Sequence, residues 1–469
     1  VDALLSLEEP ESIERSPIQK ARCDMLPFDF RTYREQKLGQ KLPTALQLPT
    51  APGKLTSTAT ITGRIEKALF AERIGVPIYA IAFSPDGSRI AVGTDARVGP
   101  DKRDEKNLFL LNRAGKLLSK GQASEHLIGK VAFGAGGERI FASVQMSGTL
   151  EIFDLKLRPV RKHDAAIYPG DYDAPYFHLS PDSRVIYRLA RPDLLLAEDT
   201  TTGRELWRHN FAPKDDSIKD LKYRLGAFAV SSGGSRIGLI VRQDGVKPIK
   251  MHRPGNVKTW TTVLKAADGS VVSQWTGQAG MSNGWNWRHQ HGQNGEWPSG
   301  STVALSPDGR LLATPKHLGV FSLYDETGRE LAQISCRQPQ RLLFTPDGRR
   351  MISWWILREA PMRGVVDSYS LTFIDVEQRK VVARVTGDES ISDADLSPDG
   401  RTVAVLWWDG TLRAYDLSGR EQWQTFIGTG GRVKFSPDGK TILVGTWAGR
   451  LLLCDAVGGI LWKKELPRD

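Results

Sequence analysis

A four-residue turn constrains this chain more than any other feature. Ser84-Pro85-Asp86-Gly87 returns as Ser306-Pro307-Asp308-Gly309, Thr345-Pro346-Asp347-Gly348, Ser397-Pro398-Asp399-Gly400 and Ser436-Pro437-Asp438-Gly439. Degenerate copies stand at Gly134-Ala135-Gly136-Gly137, Ser180-Pro181-Asp182-Ser183 and Ser231-Ser232-Gly233-Gly234. Arg or Lys follows each within two residues, from Arg89 to Lys440. A period of roughly 40 to 50 residues marks a chain assembled from stacked supersecondary units.

Each unit reads alike. An apolar run precedes the turn, as in Ile78-Tyr79-Ala80-Ile81-Ala82-Phe83, and a second follows, as in Arg89-Ile90-Ala91-Val92-Gly93. A third ends on Asp, as in Thr411-Leu412-Arg413-Ala414-Tyr415-Asp416. A Gly turn leads to a fourth, often with Trp, as in Glu421-Gln422-Trp423-Gln424-Thr425-Phe426. Four short strands punctuated by Gly and Pro make one propeller blade. The expected fold is an all-β propeller over residues 57–469, with eight four-stranded blades, or seven if one marker is false. The content of 46 Gly and 13 Trp suits many tight turns with aromatic packing. Segments 61–69 and 459–463 both read as a fourth strand, and one of them is expected to close the ring. The recurrent third-strand Asp (Asp154, Asp199, Asp325, Asp375, Asp416, Asp455) is expected to cap the turn that follows it.

Residues 1–56 lack the repeat. Pro10 and Pro17 break a stretch of helical character, and Pro43, Pro49 and Pro52 mark a linker. This N-terminal arm is read either as packing on the ring or as docking a partner or membrane.

The copy Ala197-Glu198-Asp199-Thr200-Thr201-Thr202-Gly203-Arg204-Glu205-Leu206-Trp207 resembles the blade motif of pyrroloquinoline-quinone-type propellers, with weaker copies at 414–423 and 454–462. The Ser-Pro-Asp-Gly turns resemble instead WD-repeat and lactonase-like bacterial propellers. The resemblance covers residues 70–469 and implies architecture, since such propellers host many functions. Quinoprotein dehydrogenases of that type carry an adjacent Cys pair and a calcium site. The cysteines here are Cys23, Cys336 and Cys454, so a quinone cofactor is not expected.

Composition excludes some classes. A net charge of +10 permits an acidic partner without requiring one. No Lys/Arg tract is present, and duplex nucleic acid is not an expected partner. No run reaches the roughly 18 apolar residues of a membrane-spanning helix. No CxxC or CxxCH occurs, against structural zinc and c-type haem. GxSxG, P-loop and HExxH signatures are missing too. Cys336 and Cys454 fall within expected strands and read as small buried hydrophobes. The chain begins Val1-Asp2 without Met, which suits a mature protein freed of its signal peptide or a truncated chain; export to the periplasm or beyond is the expectation.

Topology then places the function. In a blade, the first-to-second and third-to-fourth turns lie at one end, and the other connections lie at the opposite end. The first class is short here. The second holds the long insertions: 95–106, 242–258 and 356–368 between second and third strands, and 162–174, 210–222 and 277–300 between blades. Long loops on a rigid scaffold are where binding concentrates. The densest, 283–298, carries Trp285, Trp287, Arg288, His289, His291 and Trp297. Three readings stay open. The indoles pack the loop onto the ring, or they form a stacking platform with Arg288, Arg253 and Arg358 nearby, or His289 and His291 ligate a divalent metal with His252 and His317. His163 and Glu296 are more remote ligand candidates, whereas His126, His178 and His209 read as structural. The first functional expectation is a non-catalytic scaffold that presents this end to a protein partner. The alternative is a metal-assisted hydrolase or lyase on an anionic polysaccharide.

Overall fold

The structure is a computed structural model that describes residues 76–95, 106–124, 127–144, 149–164, 177–191, 193–211, 222–244, 256–280, 303–317, 320–336, 341–354, 369–387 and 389–466. The chain divides into two units, 1–72 and 73–469, and all described residues belong to the second. Segment 61–69 and Cys23 lie outside them.

The second unit is a propeller of eight blades, each a four-stranded antiparallel sheet. The blades span 78–121, 128–164, 177–210, 222–280, 304–335, 341–387, 391–426 and 431–465. All eight markers are therefore genuine. Every sheet takes its four strands in sequence order from one contiguous stretch. The last fourth strand is Ile460–Glu465, within the blade that precedes it in sequence, so no strand is exchanged to shut the ring among the described residues.

The turn chemistry explains the markers. Ser84 Oγ donates to Asp86 Oδ1 at 2.5 Å and accepts from Arg89 N, while Asp86 Oδ1 also accepts from Ser88 N. The same pattern recurs at Ser306, Thr345, Ser397 and Ser436, and in the degenerate copy at Ser180. The third-strand Asp also behaves as expected. All six accept backbone N–H groups of the next turn, as Asp455 does from Val457 and Gly459 at 3.0 and 2.7 Å.

Second and third strands are covered on both faces and read as continuous apolar runs; Thr441–Thr446 is buried throughout. Fourth strands alternate, as Lys380–Gly387 does. The core is distributed, with one apolar cluster in each of the eight seams between blades. At the closing seam Ile78, Ile90 and Phe109 of the first blade meet Leu443, Leu451 and Leu453 of the last. Arg113 adds a two-pronged bond to Asp438 at 3.0 and 3.3 Å.

A second device joins neighbours. Four residues after the left-handed residue of the third-to-fourth turn, a fourth-strand side chain donates to a carbonyl in the equivalent turn of the next blade. Trp207, Trp423 and Trp462 do so through Nε1, to Ala266, Ala456 and Arg113, each at 3.0 Å. Ser119 reaches Leu155 and Arg161 reaches Thr202, both at 3.1 Å. The Trp207 indole lies so close to Gly269 that a Cβ there would stand 2.6 Å from it. Blades four, five and six depart from the pattern, with Ser273, Ala332 and Ala383 at the donor position; in blade four Trp275, two residues on, packs against Tyr324 of blade five at 5.4 Å.

Two differences from the sequence reading stand out. Blade four is longer than its neighbours, with strands Lys222–Val230, Arg236–Asp244, Asn256–Lys265 and Val271–Gly280. Its backbone ladder continues through Lys222↔Asp244 and Asn256↔Gly280, so residues expected to be loop at 242–244, 256–258 and 277–280 are strand. At about 3.3 Å per residue the four or so extra residues carry this sheet about 13 Å past its neighbours' strand ends. Cys336 lies just beyond its strand, Glu330–Ser335, and is nonetheless buried, as is Cys454. Burial pushes both thiols up to about 12, which keeps them inert at neutral pH.

Two outcomes follow for stability. Trp207 is 9 % exposed, so Trp207→Ala should cost about 3 kcal/mol by urea unfolding, whereas Ser119→Ala, which forfeits one hydrogen bond, should cost about 1 kcal/mol. The marker carboxylates sit below their ordinary range. The Ser84 hydroxyl and Ser88 hold Asp86 down to about 2, and the Arg113 guanidinium holds Asp438 lower still. A depressed folded pKa gives stability that is present above the unfolded value and is lost as pH falls through the folded one. Urea midpoints should therefore fall steeply between about pH 4 and about pH 2, and Asp86→Asn should make that fall shallower.

Candidate functional site

Antiparallel strands fix which connections share an end. The described strand ends that flank residues 96–105, 165–176, 212–221, 245–255, 281–302 and 355–368 all lie at the end opposite the Ser-Pro-Asp-Gly turns. Trp285, Trp287, Arg288, His289, His291, Trp297, His252, Arg253 and Arg358 belong to these stretches and lie outside the described residues. His317 is the last residue of the second strand of blade five, opposite Val320. His163 turns to Glu198, Nε2 to Oε2 3.7 Å, and Glu198 itself holds Arg188 in a buried two-pronged pair. Burial lowers His178 far below the ordinary histidine value, and it lowers His209 as well. Among the described residues no group of three or more His, Cys, Asp or Glu is placed to hold a metal ion. Among them, too, no helix is long and apolar enough to cross a membrane.

Two described features occupy this end and the bore beneath it. The first is aromatic. Trp408 and Trp447 hold equivalent places in the second-to-third turns of blades seven and eight. Trp408 N donates to Ser390 O at 2.8 Å and Trp447 N to Gly430 O at 3.1 Å, so each turn is tied to the entry of its own blade. A Cβ at Gly430 would stand 2.7 Å from the Trp447 ring, so glycine lets that indole lie flat. The two rings stack with centroids 4.1 Å apart and planes at 44°, and both stay partly exposed.

The second feature lines the axis. Counted back from each marker, positions two and four of the innermost strands are alanine at Ala80, Ala82, Ala132, Ala229 and Ala304. Elsewhere among the described residues they are Lys130, His178, Arg341, Leu343, Asp393, Asp395, Arg432 and Lys434. An innermost strand is a sheet edge whose backbone groups need partners. Several of these side chains supply them from the preceding blade. Lys130 Nζ donates to Phe177 O at 2.6 Å, and Arg432 Nε donates to Tyr79 O at 2.8 Å. Asp395 Oδ2 accepts from Phe435 N at 2.8 Å, and Asp393 Oδ2 from Val433 N at 3.2 Å. Lys434 Nζ pairs with Asp395 Oδ1 at 2.7 Å. Burial opposes the Lys434 charge, but Asp395 and Asp393 outweigh it and hold its pKa above that of an ordinary lysine.

Sequence reasoning passed over both features. Each leaves a signal once repeats are aligned on the marker: tryptophan in the same turn of two consecutive blades, and charge where other blades have alanine.

The family profile of the WD domain, G-beta repeat, matches residues 74–98, the start of blade one. No curated protein matches the chain in sequence. Solved structures that match number 1676, too many for likeness alone to select an activity. Among them is the Dos1 propeller, 14% identical with a TM-score of 0.56, the match covering 83% of this chain and 95% of that one. Another is Chaetomium thermophilum Sqt1 bound to the N-terminus of the ribosomal protein L10, also 14% identical at TM-score 0.56, covering 81% and 97%. At these identities the likeness establishes the fold, a WD-like β-propeller.

Proposed function

We propose that the protein is a non-catalytic scaffold that holds a segment of a partner protein at the insertion end of the ring, with Trp408 and Trp447 as the anchor. The observation that carries this reading is the indole pair itself. The tryptophans that join blades through a hydrogen bond, Trp207, Trp423 and Trp462, lie on fourth strands at the outer rim. Trp408 and Trp447 instead pack against each other, partly exposed, in second-to-third turns at the end opposite the marker turns. Rigid, partly exposed aromatics of this kind are the residues that dominate binding energy at protein interfaces. The fixed backbone beneath them lowers the ordering cost of association. The Sqt1 structure supports the choice of occupant, since a propeller of this fold is seen there with the N-terminus of another protein. An extended peptide segment is the corresponding partner here.

Affinity capture from the extract of the protein's own host, with wild type and variants side by side, tests this. Trp408→Ala and Trp447→Ala should each weaken retention of the captured protein about 30-fold, a loss of about 2 kcal/mol, while leaving the melting temperature within a few degrees of wild type. Equal retention by wild type and both variants would sink the proposal.

A further inference from the structure

The marker end of the ring carries a separate inference. At the closing seam Arg113 of blade one reaches back to the marker of blade eight. Its Nη1 donates to Asp438 Oδ2 at 3.0 Å, and its Nη2 donates to Asp438 Oδ1 at 3.3 Å and to Thr441 Oγ1 at 3.1 Å. The receptor is a marker aspartate with a threonine three residues on. One other marker has that pair: Asp399 with Thr402, in blade seven. After the remaining marker aspartates the same position holds Arg89, Val185, Leu311 and Arg350.

The residue that faces Asp399 is different. Ala456 of blade eight stands where Arg113 stands in blade one. The indole of Trp423 donates to Ala456 O and that of Trp462 to Arg113 O, each at 3.0 Å, which fixes the equivalence. A methyl group cannot span to the marker as a guanidinium does. Between Asp399, Thr402 and Ala456 lies a cavity of about 440 Å³, walled by Pro398, Phe435 and Gly439. Gly439 holds the place of Gly87. A Cβ at Gly87 would stand 3.2 Å from Arg113 Nη1, whereas among the described residues one at Gly439 would meet only Pro398 within 4 Å. Asp399 Oδ1 accepts from the Ser397 hydroxyl and from the Arg401 amide. Those two bonds, the hydroxyl first, hold its carboxyl below the ordinary range, so it is ionised at neutral pH. Among the described residues no Lys or Arg side chain comes within ion-pair distance of it. Asp438, on the opposite wall, is already committed to Arg113.

We propose that this cleft between blades seven and eight takes an arginine side chain of a partner protein, bound by Asp399 and Thr402 as Arg113 is bound by Asp438 and Thr441. The template lies in the molecule itself, one seam away. A carboxylate that receives a guanidinium through two parallel bonds selects arginine over lysine, whose ammonium offers no such fork. The cavity is larger than a guanidinium, and Pro398, Phe435 and Ala456 give apolar walls against which the methylene stem can lie. That favours a whole side chain over a bare guanidinium ion. The cleft is at the marker end, so it does not rest on the scaffold reading of the opposite end.

The probe is a short peptide with one arginine, acetylated and amidated at its ends, titrated into the full chain by calorimetry beside the same peptide carrying lysine or citrulline. The arginine peptide should bind about tenfold tighter than either control. Asp399→Asn, which keeps an acceptor for the turn, should weaken it about tenfold or more. Ala456→Arg supplies the guanidinium from within the chain and should block the peptide while melting no lower than wild type, which distinguishes a filled cleft from a damaged fold. Trp408→Ala should leave the affinity unchanged, so the outcome here is separate from that of the scaffold test. Citrulline bound as tightly as arginine overturns the proposal. So does affinity unchanged in both Asp399→Asn and Ala456→Arg, or no binding of the arginine peptide to the wild type.

Discussion

Every blade has two apolar faces, and the ring exists because each must be covered. A four-stranded sheet with its second and third strands buried on both sides cannot stand at the end of a stack without exposing one of them. Closing the stack on itself removes the ends. That is why apolar packing is spread over eight seams and not gathered in one centre. The polar bonds work at the same seams. The tryptophan-to-carbonyl bonds pin the outer rim, and the lysine, arginine and aspartate contacts along the axis satisfy the inner sheet edges.

Two features depart from this plan. Trp207, Trp423 and Trp462 join blades through a hydrogen bond at the outer rim, whereas Trp408 and Trp447 meet ring to ring at the end opposite the marker turns. Some innermost positions hold alanine, whereas Lys130, Asp393, Asp395 and Arg432 bond the edge of the neighbouring blade.

What could be read from the sequence was what is local. A serine or threonine, an aspartate and a left-handed glycine close their turn within five residues, so the markers announce themselves and give the blade count. The third-strand aspartates are legible for the same reason. The long ladder of blade four was not, because Arg242-Gln243-Asp244 and Asn256-Val257-Lys258 lack the apolar alternation by which a half-buried strand is recognised. The indole pair and the axial cations were hidden differently. Trp408 touches a residue 39 positions away, and Lys130 feels one more than 300 away, and neither relation is visible until the repeats are superposed.

Because each blade is contiguous in sequence, the seam between first and last is built like the seven others. Its one addition is the Arg113–Asp438 pair. The order in which the blades occur along the chain is then one of eight cyclic orders that specify the same set of contacts. A segment the length of one blade is a unit that duplication or loss can add or remove without changing the hydrogen-bond partners inside any other. The number of blades is accordingly a property of how tightly the faces pack around the axis.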